Sequence, residues 1–352
     1  MTGKISIIMP CYRAEKYIED TLNDILAQTY TDWELICVSN GAGQEAQLAI
    51  LRRYEAQSGG KIRVITEEKG SVSKARNIGM EVATGRWLTF VDADDRIDAD
   101  HLQRYIDAES GGGYDVVVGG FTFFRPKENY LSERRYESRE GNDAIKCFYH
   151  DMGFNTPCNK LFRTVFLRNN GLTFKEEFTV SEDSIFILET FLLTDKVESF
   201  PLTGYHYCYR DGGNALSKYH ACFEKVQRRK QKLSEKLLRR LGYDEDYVSR
   251  NRKMNLYVNG YFSVCNLFKK GSPLSFREAC REIRRIIFDD ASMREAMRLK
   301  LCNTHTTFLK IFDFAYRFRS PFVMAAIFKM QYALKYSLMP LYLKIAPRLR
   351  RW

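Results

Sequence analysis

Three aspartates follow a short apolar segment in the first third of the chain. Residues 86–91 are mostly apolar and β-prone, as in a buried strand, and Asp92, Asp94 and Asp95 come directly after it. Because an unpaired carboxylate is costly to bury, we expect this group at the exposed carboxyl end of the strand, where open α/β sheets bind their ligands. Two aspartates one residue apart suit a divalent cation that also holds a phosphate.

The Asp-x-Asp pattern alone leaves other interpretations open. Such pairs are common, and Asp95 and Asp98 also fit a turn with aspartates at helix-capping positions. A phosphatase of the haloacid dehalogenase type also starts from an apolar strand that ends in Asp-x-Asp. The residues that precede this segment decide among these interpretations.

Aromatic and short polar groups stand where the first two predicted strands end. Pro10 and Tyr12 follow the first strand, and the tyrosine ring offers a face on which a base could stack. Ser39 and Asn40 follow the second strand and offer polar groups to a base edge or a ribose. These residue types are suited to a nucleoside.

A basic helix begins after the third predicted strand. Ser71 is expected to cap it, and Lys74 and Arg76 in its first turns carry charges that suit a diphosphate. A metal ion at Asp92 and Asp94 would neutralise the same diphosphate. The four strand ends together predict a pocket for a nucleotide diphosphate.

The elements that must position these groups alternate along the chain. Apolar runs and helical periodicity predict strands at 5–9, 34–38, 62–65, 86–91 and 116–118, and helices at 17–26, 44–57 and 72–82. Alternating strands and helices form parallel sheets with right-handed crossovers. The predicted fold class is therefore α/β.

The composition is globular, and the charge is uneven. The chain has 352 residues and a net charge of +11, yet residues 1–216 carry −8 and residues 217–352 carry +19. Strand patterns end near residue 217, and basic helical segments are predicted at 226–241, 277–288 and 308–344. We therefore place a domain boundary near 217, with residues 218–352 as a helical basic extension.

The basic extension narrows the choice of partners. No nucleic-acid motif accompanies the charge, so nucleic acid is not expected. Residues 301–318 combine an apolar helical face with basic side chains, as in helices that lie on an anionic membrane; a helix packed on the catalytic domain is the alternative.

Nine scattered cysteines without a Cys-x-x-Cys pair favour reduced thiols in a cytoplasmic protein. Neither a secretory signal nor a membrane span is predicted, because lysines interrupt the apolar tail.

Several blocks of sequence resemble the family 2 glycosyltransferases in order and spacing. They cover roughly residues 4–100: SIIMPCYRAEKYI at 6–18, QTY at 28–30, VSKARNIG at 72–79, and ATGR at 83–86 leading to FVDADD at 90–95. The resemblance implies a GT-A fold, a nucleotide-sugar donor, a Mn²⁺ or Mg²⁺ ion, and inversion at the sugar carbon. It disfavours the phosphatase, whose Asp-x-Asp lies near the amino terminus. Residues 1–217 would form the GT-A domain, with a nucleotide-sugar half at 1–100 and an acceptor half at 101–217.

Matching positions imply roles in the donor site. Tyr12 would stack on the base, Arg76 would contact the nucleotide, Asp92 would reach the ribose or metal, and Asp94 would coordinate the metal. The family usually has Asp-Asp-Gly-Ser where this chain has Ser-Asn-Gly-Ala at 39–42. The first of these family aspartates hydrogen-bonds a uracil ring nitrogen, which Ser39 could do only as a weaker, neutral partner. A UDP-sugar is favoured as the donor. Three explanations of the departure at residues 39–42 remain: a substitution without functional effect, a donor with another base, and loss of activity.

The acceptor half must supply a base, because inverting transfer is a single displacement in which the acceptor hydroxyl loses its proton. Glu182 and Asp183 precede an apolar helix at 185–188, and Ser181 is expected to cap it. Similar family members carry a Glu-Asp pair here, after a segment like NKLF at 159–162. Asp183 is the candidate base with Glu182 as its neighbour; stabilisation of the helix dipole is the alternative.

Two later residues are weaker candidates. His206 could be a further metal ligand, since some GT-A enzymes supply one from this region, although a structural role on a strand is the alternative. Arg210 could hold the diphosphate when a loop closes.

The expected reaction is transfer of a monosaccharide to a hydroxyl of a glycan or lipid-linked acceptor, in cell-surface polysaccharide or lipopolysaccharide synthesis. We expect it in the cytoplasm, with peripheral contact to the inner face of the cell membrane. The alternatives are a degenerate, non-catalytic module that binds nucleotide sugar or glycan, and a nucleotidyltransferase of related fold.

Overall fold

The computed structural model describes residues 3–109, 112–125, 130–209, 218–298 and 307–334. The chain divides into two compact units, residues 1–212 and 213–352. The described strands are β1 (Ile5–Cys11), β2 (Trp33–Asn40), β3 (Ile62–Glu67), β4 (Trp87–Phe90), β5 (Arg96–Ile97), β6 (Val116–Arg125), β7 (Tyr130–Arg134), β8 (Arg139–Glu140), β9 (Lys160–Arg163) and β10 (Val197–Cys208). The helices of the first unit are α1 (Ile18–Leu26), α2 (Glu45–Gln57), α3 (Val72–Val82), α4 (His101–Glu109), α5 (Gly141–Phe148), α6 (Thr164–Asn169) and α7 (Glu182–Phe191).

The amino-terminal half of the sheet is parallel. β1 pairs with β2 on one side and with β4 on the other, and β3 lies outside β2. Every residue of β1 and β4 is buried, which explains why both segments are almost entirely apolar. Because parallel strands end at the same edge, Tyr12, Ser39 and Asp92 are brought to one side of the sheet. The predicted α/β class is confirmed.

Helix α3 lies unusually close to β1. A Cβ atom on Gly79 would be 2.5 Å from Cγ2 of Ile8, so a side chain at this position would force the helix and strand apart. The helix begins as predicted, with the Ser71 hydroxyl accepting a hydrogen bond from the backbone N–H of Lys74 at 3.3 Å. This packing fixes the first turns of α3, which carry Lys74 and Arg76.

The carboxyl-terminal half of the sheet is mixed, which corrects the expectation of a purely parallel sheet. β9 is antiparallel to both β4 and β6, whereas β10 is parallel to β6. Two short strands, β5 and β8, pair with β10 in the antiparallel sense. The expectation that alternating strands and helices form a parallel sheet fails here. Strand β9 lies between β4 and β6 in the sheet, although it follows both of them in the chain.

Four aromatic rings fix α7 against the end of β4. Phe90 makes edge contacts with Phe162 and Phe174, with ring centroids 6.0 and 5.3 Å apart. Phe174 stacks on Phe186 of α7 at 4.2 Å. Buried aromatic pairs of this kind each add stabilisation beyond their area, about 0.5–1.5 kcal/mol. The cluster therefore holds the start of α7 near the aspartates that follow β4.

The second unit is helical and has its own core. Its described helices are α8 (Phe223–Arg240), α9 (Glu245–Leu267), α10 (Phe276–Ile283), α11 (Ala291–Met297), α12 (Thr307–Arg317) and α13 (residues 321–334), and α10 continues as a π-helix over Arg284–Asp289. Side chains of α9, α12 and α13 meet in one hydrophobic cluster that includes Tyr257, Phe312 and Phe328. The 23 residues of α9 were not predicted as a helix, because asparagine and serine interrupt their apolar positions.

The predicted helix at 308–344 is divided. It is interrupted at residues 318–320, where Arg319 has a φ of 47°, and the part beyond residue 334 lies outside the described residues. Phe312 and Ala315 on the apolar face of α12 are buried in the core of the second unit. Within the described ranges, no helix is both long and apolar enough to cross a membrane.

Candidate functional site

The loop after β4 is held by hydrogen bonds to its backbone and to one buried carboxylate. Asp95 is 2% exposed and accepts hydrogen bonds from the Tyr205 hydroxyl and from the backbone N–H of Cys208. The Thr21 hydroxyl is bonded to the carbonyls of Ala93 and Asp95, at 3.1 and 2.8 Å. The backbone N–H of Asp92 donates to the same Tyr205 hydroxyl at 3.2 Å. The loop conformation is therefore set by groups from α1 and β10.

This anchoring leaves the other two aspartates of the loop half-buried. Burial and the charges of Asp92 and Asp94 raise the pKa of the Asp95 carboxyl well above its usual value. Three carboxylates thus lie close enough together to repel one another. Asp95 is already hydrogen-bonded to Tyr205 and Cys208, which leaves Asp92 and Asp94 for a hard divalent cation; such an ion can be held through one or two carboxylates and the oxygens of a phosphate.

Arg76 of α3 bridges two carboxylates from different parts of the chain. Its guanidinium donates to Asp92 Oδ1 at 3.0 Å and to Glu182 Oε1 at 3.3 Å. The arginine side chain is only 6% exposed, and its guanidinium lies 5.2 Å from the centre of the Phe174 ring. The bridge joins the predicted donor side of the site to the predicted base pair at the start of α7.

The start of α7 differs from the predicted capping arrangement. Ser181 occupies the capping position, but its φ is 55° and its hydroxyl makes no capping bond. The carboxylate of Asp183 instead accepts a 2.6 Å hydrogen bond from the backbone N–H of Ser184. A left-handed serine is a strained conformation, of the kind that clusters at functional sites. The predicted role of Ser181 as a hydroxyl cap is wrong.

The carboxyl group of Glu182 has a strongly raised pKa. Burial and the charge of Asp183 raise the pKa of Glu182 to about 7, against the lowering effect of Arg76. The two neighbouring acids also differ in their hydrogen-bond partners: Glu182 accepts from Arg76, whereas Asp183 accepts from Ser184. A buried acid with a perturbed pKa is typical of catalytic sites.

The Tyr12 ring lies against the backbone of two other strand ends. A Cβ atom on Gly41, where φ is +92°, would be 2.9 Å from the ring, and one on Gly70 would be 3.8 Å from it. The ring is 50% exposed, with the Arg13 guanidinium 5.1 Å from its centre. Residues 12, 41 and 70 are thus brought together as the pocket hypothesis requires. Pro10 is buried in β1, opposite Val38 of β2.

A buried glutamine orients the side chain of Ser39. Gln47 of α2 accepts a hydrogen bond from the backbone N–H of Ala14 at 2.9 Å, which fixes the orientation of its amide. Its nitrogen then donates to the Ser39 hydroxyl and to the Cys11 carbonyl, both at 3.1 Å. Asn40 donates to the same carbonyl. Ser39 keeps one lone pair and its own proton, so it can either accept from a base or donate to one.

Two predicted residues have partners elsewhere. Lys74 is paired with Glu67 at 2.8 Å, at the entrance to α3. The ring nitrogens of His206 contact Asp98 at 2.8 Å and Thr122 at 2.6 Å. In the described part of the chain, no three histidine, cysteine or acidic side chains are grouped so that they could hold a metal ion. Arg210 lies outside the described residues.

The sequence did not single out Tyr205, Thr21 or Gln47 as parts of the site. All three act through hydrogen bonds to backbone or side chains that are distant in the chain. Tyr205 precedes the predicted His206, but no spacing rule distinguishes it from its tyrosine neighbours. Only the fold brings these residues to the site.

A parallel β3–β2–β1–β4 sheet that ends in an Asp-x-Asp loop, extended by a mixed half with an acidic helix start, is the architecture of the GT-A class. Solved structures support this class. A crystal structure of the Staphylococcus aureus TarS fragment 1–349 in complex with UDP-GlcNAc is 20% identical, with a TM-score of 0.64 over 94% of this chain and 91% of that one. The same fragment with UDP gives a TM-score of 0.61 at 18% identity, over 94% of this chain and 91% of that chain.

Residues 6–171 match the model of the family described as glycosyl transferase family 2. The match lies within the first unit and covers nearly half of the chain, so the predicted resemblance to this family is confirmed for these residues. The uncharacterized glycosyltransferase EpsJ of Bacillus subtilis (strain 168) is 29% identical over 226 residues, or 62% of this chain and 64% of EpsJ. The poly(ribitol-phosphate) beta-N-acetylglucosaminyltransferase TarS of S. aureus (strain Mu50) is 25% identical over 219 residues, or 61% of this chain and 37% of TarS. The chain spans less than two thirds of the length of each of these relatives.

The raised pKa of Glu182 predicts a specific dependence of stability on pH. A carboxyl whose folded-state pKa of about 7 exceeds its ordinary 4.5 binds more protons in the folded state, so the free energy of unfolding falls as pH rises through this range. Replacing Glu182 with glutamine should remove this fall, which amounts to about 1–3 kcal/mol. Urea unfolding at several pH values in EDTA measures it, with Glu81→Gln on the exposed face of α3 as the control. Equal pH slopes in wild type and E182Q would contradict the assignment.

Proposed function

We propose that this chain is a glycosyltransferase that moves a monosaccharide from a nucleotide-diphospho-sugar to a hydroxyl of a glycan or lipid-linked acceptor. The observation that carries the proposal is the bridge from Asp92 through Arg76 to Glu182. It joins acids suited to a metal and diphosphate with acids suited to proton abstraction. A module that only binds nucleotide sugar has no need for the second pair.

The donor would lie across the ends of β1, β2 and β4, with residues 1–100 supplying most of its contacts. Tyr12 would stack on the base, and Ser39 and Asn40 would meet the base edge or ribose, next to Pro10. Lys74 and Arg76 would neutralise the diphosphate. Similarity to TarS, which was crystallised with UDP-GlcNAc and with UDP, favours a UDP-sugar. Ser39 can accept a hydrogen bond from uracil with its free lone pair, though more weakly than a carboxylate.

A divalent cation, Mn²⁺ or Mg²⁺, fits the aspartates that follow β4. Asp92 and Asp94 would hold it, and when bound it would stabilise the negative charge of the departing diphosphate. Asp95 and Tyr205 would keep the two ligands in place, because they fix the loop backbone. A role for His206 as a third ligand requires its ring to leave Asp98 and Thr122.

Asp183 would be the catalytic base, in residues 101–217, which would form the acceptor half. It would take the proton of the acceptor hydroxyl as that oxygen bonds to the sugar carbon and the bond from the same carbon to the diphosphate breaks. This single displacement inverts the sugar carbon. Asp183 suits the role better than Glu182, because the Glu182 carboxylate is bonded to Arg76.

The acceptor would be a cell-surface polymer or its lipid-linked precursor. The relatives support this class: the matches include the poly(ribitol-phosphate) transferase TarS and the putative teichuronic acid biosynthesis glycosyltransferase TuaG of Bacillus subtilis, which is 35% identical over 149 residues, or 40% of this chain and 57% of TuaG. Lipopolysaccharide is a second possible acceptor of the same chemical class. The shape of the acceptor half would decide between them.

We further propose that the chain works in the cytoplasm, with residues 218–352 in peripheral contact with the inner face of the cell membrane. The supporting feature is an aromatic tip, defined as residues 314–322, which comprises the end of α12, the start of α13 and the turn that joins them. Phe314, Phe318 and Phe322 have exposures of 54%, 53% and 63%, and the exposed Arg317 and Arg319 lie among them. Aromatic and basic side chains on one exposed tip fit an anionic lipid surface.

Replacing Asp183 with asparagine should lower the transfer rate by about 10²–10⁴-fold and leave donor affinity within about threefold, because only proton abstraction is lost. Transfer is measured with a radiolabelled UDP-sugar and polymer acceptor, and donor affinity by calorimetry. Asp195→Asn, at an exposed position beyond α7, is the matched control. Undiminished transfer by D183N would contradict the assignment of the base.

Donor binding without transfer by the wild type would favour the degenerate binding module, and pyrophosphate release from a nucleoside triphosphate would favour the nucleotidyltransferase.

Replacing Phe314, Phe318 and Phe322 with serine should weaken binding to vesicles of phosphatidylcholine and phosphatidylglycerol by at least about tenfold, because each ring contributes about 1 kcal/mol on partial insertion. Co-sedimentation measures the bound fraction. The control is Val165→Ser with Leu193→Ser, two residues of the first unit that are similarly exposed at 55% and 51%. Equal binding by the tip variant and wild type, or equal binding to neutral and anionic vesicles, would overturn the proposal.

A further inference from the structure

The buried side-chain amide of Gln47 joins the ends of β1 and β2. Its oxygen accepts the backbone N–H of Ala14 at 2.9 Å, and its nitrogen donates to the Cys11 carbonyl and to the Ser39 hydroxyl, both at 3.1 Å. The Ala14 N–H can only donate and the Cys11 carbonyl can only accept, so the orientation of the amide is fixed from both ends. Gln47 is 1% exposed, and these bonds use both protons of its nitrogen.

This orientation sets the hydrogen-bonding sense of the Ser39 hydroxyl. An amide nitrogen cannot accept a hydrogen bond, so the hydroxyl must be the acceptor in its contact with Gln47. Its own proton and one lone pair are left over, and no other protein hydrogen bond of this hydroxyl occurs among the described residues. A buried donor without a partner is costly, and Ser39 is only 4% exposed. The free proton therefore favours a ligand atom as its partner.

The groups around Ser39 are neutral, apart from one carboxylate that is already paired. Asn40 donates to the Cys11 carbonyl at 3.1 Å, so a second amide stands next to the serine. Glu67 of β3 lies opposite Asn40, and its carboxylate pairs with Lys74 at 2.8 Å. Ser39 thus has no charge of its own with which to prefer a donor or an acceptor on an incoming base.

The Tyr12 ring marks the end of β2 as the place where a base would lie. The ring packs against Gly41, two residues beyond Ser39, where a Cβ atom would be 2.9 Å from the ring. Cys11, which precedes Tyr12, pairs with Ser39 across β1 and β2. A base stacked on the ring would therefore lie at the strand end that carries Ser39.

We propose that Gln47 orients Ser39 as a neutral reader of the donor base, one that takes uracil and cytosine alike. The inference rests on the proposed function, because it takes the end of β2 as the base site. Uracil presents an N–H at ring position 3, which the free lone pair of Ser39 accepts. Cytosine presents a bare nitrogen at the same position, to which the Ser39 proton is donated. Rotation about the Cβ–Oγ bond exchanges proton and lone pair, so no heavy atom has to move.

Replacement of Ser39 with aspartate tests this reader directly, with UDP and CDP titrated by calorimetry in Mn²⁺. We expect the wild type to bind the two nucleotides within about threefold of each other, because each makes one neutral hydrogen bond to Ser39. A carboxylate only accepts and repels the bare nitrogen of cytosine, so S39D should favour UDP by at least about tenfold. S39A should weaken both nucleotides equally, by roughly three- to tenfold.

The same ratio tests Gln47 as a positioning residue. Gln47→Glu keeps an acceptor for the Ala14 N–H, but a carboxylate cannot donate, so the Ser39 hydroxyl would donate to it and offer only lone pairs to a base. At about pH 8, Q47E should raise the preference for UDP over CDP by about five- to tenfold. A residue that only stabilised the fold would lower both affinities equally. Gln44→Glu is the matched control, since its side chain accepts from the backbone N–H of Arg13 at 2.8 Å.

Wild-type binding of UDP more than about tenfold tighter than CDP would overturn the proposal. So would an unchanged UDP-to-CDP ratio in S39D and Q47E, or a loss in S39A that is confined to UDP. Thermal unfolding shows which variants are folded, and S39D with S39A decides the role of Ser39 if Q47E is not. Binding of neither nucleotide by the wild type would count against the proposed function as well. Transfer from a UDP-sugar that is indifferent to Ser39 would sink this inference alone.

Discussion

The buried guanidinium of Arg76 is the constraint on which the rest of the site depends. An arginine that is 6% exposed must have its charge balanced, and the two carboxylates that balance it come from the loop after β4 and from the start of α7. Removing one partner from a buried pair is strongly unfavourable, by about 3–5 kcal/mol. The sheet edge and the start of α7 are therefore joined by electrostatics as well as by the aromatic cluster around Phe90.

The same region concentrates features that cost stability. Asp95 is buried among other carboxylates, Ser181 is held at a φ of 55°, and Glu182 is raised to a pKa of about 7. Such costs persist where surrounding structure enforces them. Here the enforcing groups are Tyr205, Thr21 and the stacked rings of Phe174 and Phe186. A site built in this way is preorganised for charge, as the proposed departure of a diphosphate requires.

The sequence predicted the parallel half of the fold well, because buried strands and amphipathic helices leave clear periodic patterns. It also placed Tyr12, Arg76, Asp92 and Asp183 at strand and helix ends, and the structure puts all of them along one edge or next to it. It could not predict that β9 inserts antiparallel between β4 and β6, since strand order is set by packing between distant segments. It predicted a hydroxyl cap at Ser181, but this residue has a left-handed backbone conformation and its hydroxyl makes no capping bond. It also missed α9, whose apolar positions are interrupted by polar ones.

Calorimetry of donor binding is the most direct test of whether Asp92, Asp94 and Arg76 form a metal-dependent nucleotide-sugar site. UDP-, GDP- and dTDP-sugars would each be titrated with Mn²⁺ and with EDTA into the wild type, Asp94→Ala, and Asp107→Ala as an exposed control on α4. We expect binding of a UDP-sugar that needs the metal, is lost in D94A and is retained in D107A. Binding that is indifferent to EDTA and to Asp94, or no binding of any donor, would contradict it.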